Sequence, residues 1–180
     1  MTLQDFINNH NNRPLNYDGA YGNQCMDLYH FYVQEVLPGF PHPAVPGAAW
    51  LWNNYDKNFY DRIENTITAV PKSGDILIWG TKAGGGFGHV AVYVSGNVLS
   101  FTSFDQNWPS QGYYDANGNF IATGVCHLQN HNYFGGLLGW LRPRQQGLTD
   151  DQKEQKIKET LNSPGTSTQH LQSIEKIIHG

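Results

Sequence analysis

Basic charge is scarce in this chain. Lysine and arginine number 11 against 15 aspartates and glutamates, a formal charge of −4. That balance gives no electrostatic case for nucleic acid, whose binders carry a clear basic patch. Cysteine is nearly absent: Cys25 and Cys126 are the only two. They exclude a disulfide framework and leave a single bridge or two free thiols, with free thiols favoured. Long apolar runs are missing too, and nothing approaches the roughly twenty residues a membrane helix needs. The opening MTLQDFINNHNNRP lacks the basic segment and apolar run of a secretory signal, so a soluble cytoplasmic product is expected. Charged residues make up 14% and hydrophobic ones 39%, which excludes a charge-driven disordered polymer.

What remains is a chain of 180 residues with 20 glycines and 10 tyrosines, the length of one domain with an appendage. Thr2 is placed to cap a short helix that fades before Pro14. From Cys25 the apolar residues Leu28, Phe31, Tyr32 and Val36 recur at helical spacing until Pro38-Gly39. Residues 48–55 suggest a short aromatic helix. After Gly74 the period changes, and DILIWG (75–80), HVAVYVSG (89–96), NVLSFTSFDQNW (97–108), FIATGVCHLQ (120–129) and LLGWLRP (137–143) predict strands. Helices first and an antiparallel meander after them point to an α+β fold. The pattern ends at Arg144. Residues 145–180, poor in aromatics, predict a linker and a short helical appendage with helices over 149–161 and 168–178.

Three stretches carry the chemistry. A cysteine nucleophile needs a favoured thiolate, a histidine to handle the proton and a group that orients the histidine. Cys25 stands at a helix start, where free N–H groups and the helix dipole favour negative charge. His89 follows the glycine-rich run 82–88 and opens a strand that alternates Val90, Val92 and Val94 against His89, Ala91 and Tyr93. Asp105 and Asn107 lie on the next strand, on one face by period two, and either would orient the imidazole. Read singly, Cys25 is a small buried hydrophobe, His89 a strand-end histidine and Asp-Gln-Asn a turn.

Together, QCMDL (24–28), GHVAVY (88–93) and FDQNW (104–108), preceded by PKSGDILIW, resemble the CHAP family of cysteine, histidine-dependent amidohydrolases and peptidases. The resemblance covers about residues 15–144. It implies a papain-like α+β domain over 1–144 and cleavage of a peptidoglycan amide, by an endopeptidase or an N-acetylmuramoyl-L-alanine amidase. The roles it implies fall on Cys25 as nucleophile, His89 as base and then acid, Asp105 with Asn107 as the orienting pair, and Gln24 in the oxyanion hole. Phage relatives commonly have Glu where this chain has Asp105, which leaves open whether Asp105 or Asn107 contacts His89. The competing readings are an NlpC/P60-type peptidase, which usually has a second His at that place, and an inactive wall-binding or phage-assembly module. A phage endolysin made in the host cytoplasm and released to the wall is the implied setting, with the tail recruiting a separate wall-binding subunit.

Several phage lysins of this family bind calcium just ahead of the nucleophile. Counted from Asn16, the loop offers Asn16, Asp18, Ala20, Gly22 and Asp27 at positions 1, 3, 5, 7 and 12, an EF-hand-like spacing. It departs from an EF-hand at Tyr21, where glycine is usual, and at Asp27, where a bidentate Glu is usual. The same residues also suit an Asx-rich turn. His127 and His131 with Cys126 do not predict zinc, because that spacing gathers ligands on a helix and this segment reads as a strand. His30 and His42 have no evident partners.

Overall fold

The first helix begins where its capping signal lies. Thr2 Oγ1 accepts from the Asp5 backbone N–H at 3.1 Å, and Asp5 Oδ2 accepts from the Thr2 N–H at 3.2 Å. This reciprocal pair satisfies two of the donors a helix start leaves free. The computed structural model describes residues 1–144 and 150–179. Two units divide after Arg144: Met1–Arg144 and Gln145–Gly180. In the first unit the chain runs α1 (Leu3–His10), α2 (Cys25–Val36), a 3-10 turn (Ala48–Trp52), β1 (Tyr60–Glu64) and β2 (Ile76–Trp79). A glycine turn (Gly84–Gly86) leads to β3 (His89–Gly96), β4 (Ser100–Gln106), β5 (Gly112–Tyr114), β6 (Phe120–Ala122), β7 (Cys126–Asn132) and β8 (Leu137–Pro143).

Six strands form one antiparallel sheet in the order β1-β8-β2-β3-β4-β7, so the fold is α+β as the sequence predicts. Three details differ from the sequence reading. The segment 120–129 is not one strand: β6 pairs with β5 in a separate hairpin, and β7 joins the main sheet. Thr123-Gly124-Val125 separates them, with the Thr123 N–H bound to the Gln111 carbonyl at 2.9 Å. Strand β1, too polar to announce itself, is held by β8, which returns across the sheet and breaks the meander. The aromatic turn is 3-10 and stops at Trp52.

Both faces of the sheet are buried. Ile76, Ile78, Val90, Val92 and Phe104 pack against Phe6, Leu28 and Tyr32 on the helical side. Leu77, Trp79, Ala91, Tyr93, Phe101 and Trp140 fill the other side. The alternation expected for β3 therefore holds, and it sends His89 to the face opposite α1 and α2. Helix α2 is short and rich in aromatic and branched residues, which are modest helix formers. Burial holds it in place, at about 1.5–3 kcal/mol for each fully buried side chain such as Leu28 or Val33. Asp75, at the entry to β2, is buried and paired with Arg142 of β8 through Nη2 at 2.6 Å. Burial pushes its carboxyl up, and the guanidinium opposes that.

In the second unit α3 (Asp150–Asn162) and α4 (Ser167–His179) fall close to the predicted helices. The expected linker over 145–149, and the predicted helix start at residue 149, lie outside the described residues.

One glycine decides how β3 enters the sheet. Gly88 has φ +79°, and a Cβ there would sit 2.6 Å from both Ala49 N and Trp79 O. Backbone atoms cannot yield cheaply, so Gly88→Ala is expected to cost about 1–3 kcal/mol. A urea titration of the variant against the wild type measures the loss. An unchanged midpoint would show that the close approach is not needed.

Candidate active site

The position of Cys25 is built from the loop ahead of it. Gln24 is extended (φ −87°, ψ 162°) and α2 begins at the next residue, Cys25. The Gln24 N–H donates to Asp27 Oδ2 at 2.6 Å, and the Tyr17 N–H donates to Asp27 Oδ1 at 2.8 Å. Asp27, only 3% exposed, thus ties the front of the loop to the first helical turn. Burial pushes its carboxyl up, while the Tyr17 and Gln24 N–H groups pull it down. The hairpin β5–β6 braces the loop from outside: the Ala122 N–H donates to Tyr21 O at 2.8 Å, and the Asn23 N–H to Ala122 O at 2.9 Å. Gly22 lies against that strand, where a Cβ would collide with the Ala122 carbonyl.

His89 Nε2 donates to Asp105 Oδ1 at 2.6 Å, and Cys25 lies close enough for its charge to act on the ring. With Nε2 bound to Asp105, Nδ1 is the ring nitrogen left free to exchange a proton with a thiol. Burial disfavours the imidazolium. The Cys25 charge and the hydrogen bond to Asp105 outweigh it and raise His89 to about 9. Asp105 has no exposed surface, yet it is held down to about 2: the hydrogen bonds from His131 and His89 overcome the cost of its burial. Trp79 and Trp108 pack on the His89 ring, with centroids 5.3 and 4.8 Å away, and limit its swing. Cys25 is partly exposed and Cys126 is buried.

Asp105 therefore faces His89, and Asn107 does not share its strand. β4 ends at Gln106, and Asn107 turns to φ +62° with its Oδ1 accepting from the Gln111 N–H at 2.8 Å. The expectation that period two extends to Asn107 fails because the left-handed residue breaks the alternation. The Gln24 side chain donates to Ala20 O at 3.3 Å. Both cysteines are free thiols. His30 and His42, which showed no partner in sequence, face each other through their Nδ1 atoms at 2.9 Å. Burial first, and then the His42 charge, lower His30 to about 4.

Three residues around the site escaped the sequence reading. Ser103 and His131 both donate to Asp105 Oδ2, His131 from 3.3 Å. Ser103 shares a face with Asp105 by period two, and that signal was legible. His131 required the β4–β7 register, which pairs Asp105 with His127 and Phe101 with His131. Gln106 is fully buried and bonds Leu15, Gln24 and Cys126. Its signal was a polar side chain on the face that Phe104 gives to the core.

The loop's fit to calcium rests on oxygen donors. Tyr21 adopts φ +56°, the left-handed turn that glycine supplies in an EF-hand, so that departure does not bend the loop away. The Asp18 charge lies close enough to push the Asp27 carboxyl further up, which a cation would relieve. Asn16 Oδ1 and Asp18 Oδ1 each accept one N–H, from Gly19 and Ala20 at 2.8 Å, and keep a second lone pair. Among the described residues no group of three or more His, Cys, Asp or Glu gathers as a metal cluster, so carbonyls and Asn16 would complete the set. His127 turns to the Val125 carbonyl at 3.0 Å.

A cysteine on a helix start, backed by a histidine and a carboxylate from adjacent antiparallel strands, is the arrangement of thiol-dependent acyl-transfer sites. The chain belongs to the CHAP domain family, which it matches over residues 15–107. It is 25% identical to endolysin PlyTW of Staphylococcus phage Twort over 98% of its own length and 36% of that protein. It is 32% identical to endolysin LysK of Staphylococcus phage K over 51% of its length and 18% of the relative. A probable autolysin PH of Staphylococcus aureus is 30% identical over 61% of the chain and 23% of the relative. The chain thus spans about a third or less of these proteins. The crystal structure of a wild-type endolysin, LysIME-EF1, superposes with a TM-score of 0.62 at 28% identity, covering 79% of this chain and 64% of that one.

The site makes stability depend on pH. His89 holds its proton more tightly than its ordinary 6.5 when folded, so its contribution is whole below that value and lost as pH rises through about 9. Asp105, lowered from 3.8 to about 2, contributes above 3.8 and loses only as pH falls through 2. Melting followed by circular dichroism is expected to decline as pH rises from about 6.5 toward 9. His89→Gln should flatten that decline; a decline of the same size in the variant would remove His89 as its source.

Proposed function

We propose that the chain is a peptidoglycan hydrolase of the endolysin kind, cleaving a wall amide with Cys25 as nucleophile. The carrying observation is the placing of Cys25 close enough for its charge to act on His89, whose ring is bound at 2.6 Å to a buried, ionised Asp105. The Cys25 thiolate attacks the amide carbonyl carbon, a C–S bond forms, and the carbonyl electrons move to oxygen. The Cys25 backbone N–H faces that oxyanion, and Gln24 adds a second donor once its side chain leaves Ala20. Such a donor stabilises the transition state by about 2.7–4 kcal/mol. His89 Nδ1 gives its proton to the leaving amine as the C–N bond breaks. Water then attacks the thioester, His89 takes a proton from it, and the thiolate departs.

The amide is either the sugar–peptide bond or one within the stem or cross-bridge peptide, since the same centre serves both. The acidic third residue separates this site from the NlpC/P60 pattern. The partner is bacterial peptidoglycan. Among the described residues no helix is long and apolar enough to cross a membrane. The helical pair α3–α4 leaves Leu161 and Leu171 exposed, which suits the recruitment of a separate wall-binding subunit. Calcium, held by Asn16, Asp18, Asp27 and the Ala20 and Gly22 carbonyls, would fix the loop's shape and take no part in bond making.

Cys25→Ala is expected to abolish clearing of purified walls while leaving the circular-dichroism spectrum unchanged. Mass spectrometry of the wild-type digest names the bond through the new termini. Clearing retained by the variant would sink the mechanism, and a folded wild type that releases no fragment favours the inactive module. For calcium, added ion should raise the melting temperature, a chelator should reverse it, and Asp18→Ala should abolish the response. A wild type indifferent to both would remove the site.

A further inference from the structure

Gln106 follows Asp105 on β4, and successive strand residues project to opposite faces. Asp105 goes to His89, and Gln106 goes to the helical side. There its amide uses its full capacity, two donors and two acceptor lone pairs. Nε2 donates to Leu15 O at 2.8 Å and to Gln24 O at 2.6 Å. Oε1 accepts from the Leu15 N–H at 2.7 Å and from Cys126 Sγ at 3.1 Å. The Cys126 thiol can donate because burial pushes it up to about 12 and keeps its proton on. Gln106 therefore holds both ends of the loop 15–24, although 91 and 82 residues separate it from Leu15 and Gln24.

The bond to Gln24 O has a further effect. Gln24 O and the Cys25 N–H belong to one peptide group, which is planar and trans. Fixing the direction of the carbonyl fixes the N–H on the opposite side of that plane. We infer that Gln106 is a positioning residue that aims the Cys25 backbone N–H at the oxyanion, with the Cys126 thiol holding the Gln106 amide in the orientation that allows it. This rests on the proposed hydrolysis at Cys25. It also gives the second cysteine a role, as a buried proton donor that tells the two ends of the amide apart.

Gln106→Met keeps the side chain's length and removes every hydrogen bond. On solubilised wall fragments kcat is expected to fall about tenfold or more, with KM unchanged, because an oxyanion donor acts in the transition state. Alkylation of Cys25 by iodoacetamide needs no oxyanion hole, so its rate and pH profile in folded protein should match the wild type. In nuclear magnetic resonance spectra the Cys25 amide signal should move, while Cys126→Ser, which keeps a donor, leaves it in place and keeps kcat. A folded Gln106→Met with wild-type kcat and an unmoved Cys25 amide would overturn the inference. So would kcat and alkylation falling together, which marks a merely structural role. If Gln106→Met does not fold, Gln106→Glu replaces the Nε2 donor with an oxygen, and the same three measurements decide. Should the wild type alkylate normally and cleave no wall, the hydrolase reading fails, and the amide signal alone still tests the aim.

Discussion

A carboxylate with no exposed surface, Asp105, is the constraint around which the first unit is arranged. A buried charge without partners would be neutralised or would unfold its surroundings. Asp105 stays ionised because donors reach it from three places: Ser103 on its own strand, His131 on β7 and His89 on β3. Those three bonds bind the neighbouring strands at one level. His89 in turn stands at the N-terminal end of its strand, beside the N-terminal end of α2, and the sulfur lies where those two ends meet.

Strand β4 controls both halves of the site through its period of two. Asp105 binds His89 on one face, and Gln106 binds the loop ahead of Cys25 on the other. A shift of one residue in the β3–β4 or β4–β7 register would exchange these roles and bury each side chain among the wrong partners. The register is fixed by the apolar residues of the same strand: Phe101 belongs to one core and Phe104 to the other. The geometry around His89 and the packing of both cores are thus set by one alternation.

The positions of Cys25 and His89 and the α+β order were legible because each lies at an element boundary that local chemistry marks: Gln24-Cys25 before a helical period, Gly88-His89 before a strand. The choice between Asp105 and Asn107 was not legible, since it turned on where β4 ended, and one residue at φ +62° ended it. His131 was hidden for a related reason. Its role comes from lying beside β4, and adjacency between strands is a tertiary fact that no local pattern records. Strand β6 is masked because the sequence from Phe120 to Gln129 alternates well enough to hide the break at Thr123-Gly124-Val125, and β5 lies outside every strand the pattern predicts. The loop before Cys25 kept both of its readings, since the oxygens that turn the backbone are also those a cation would use.

The parts of the site are drawn from almost the whole length of the first unit. Leu15 meets Gln106, Cys25 meets His89, and His131 meets Asp105, at separations of 91, 64 and 26 residues. Contacts so distant in sequence form late in folding, after the loops between them have closed. Until β7 has docked, Asp105 lacks the His131 donor, one of its three partners. Closing the sheet is then what completes the set of donors that lets a charge sit in the interior.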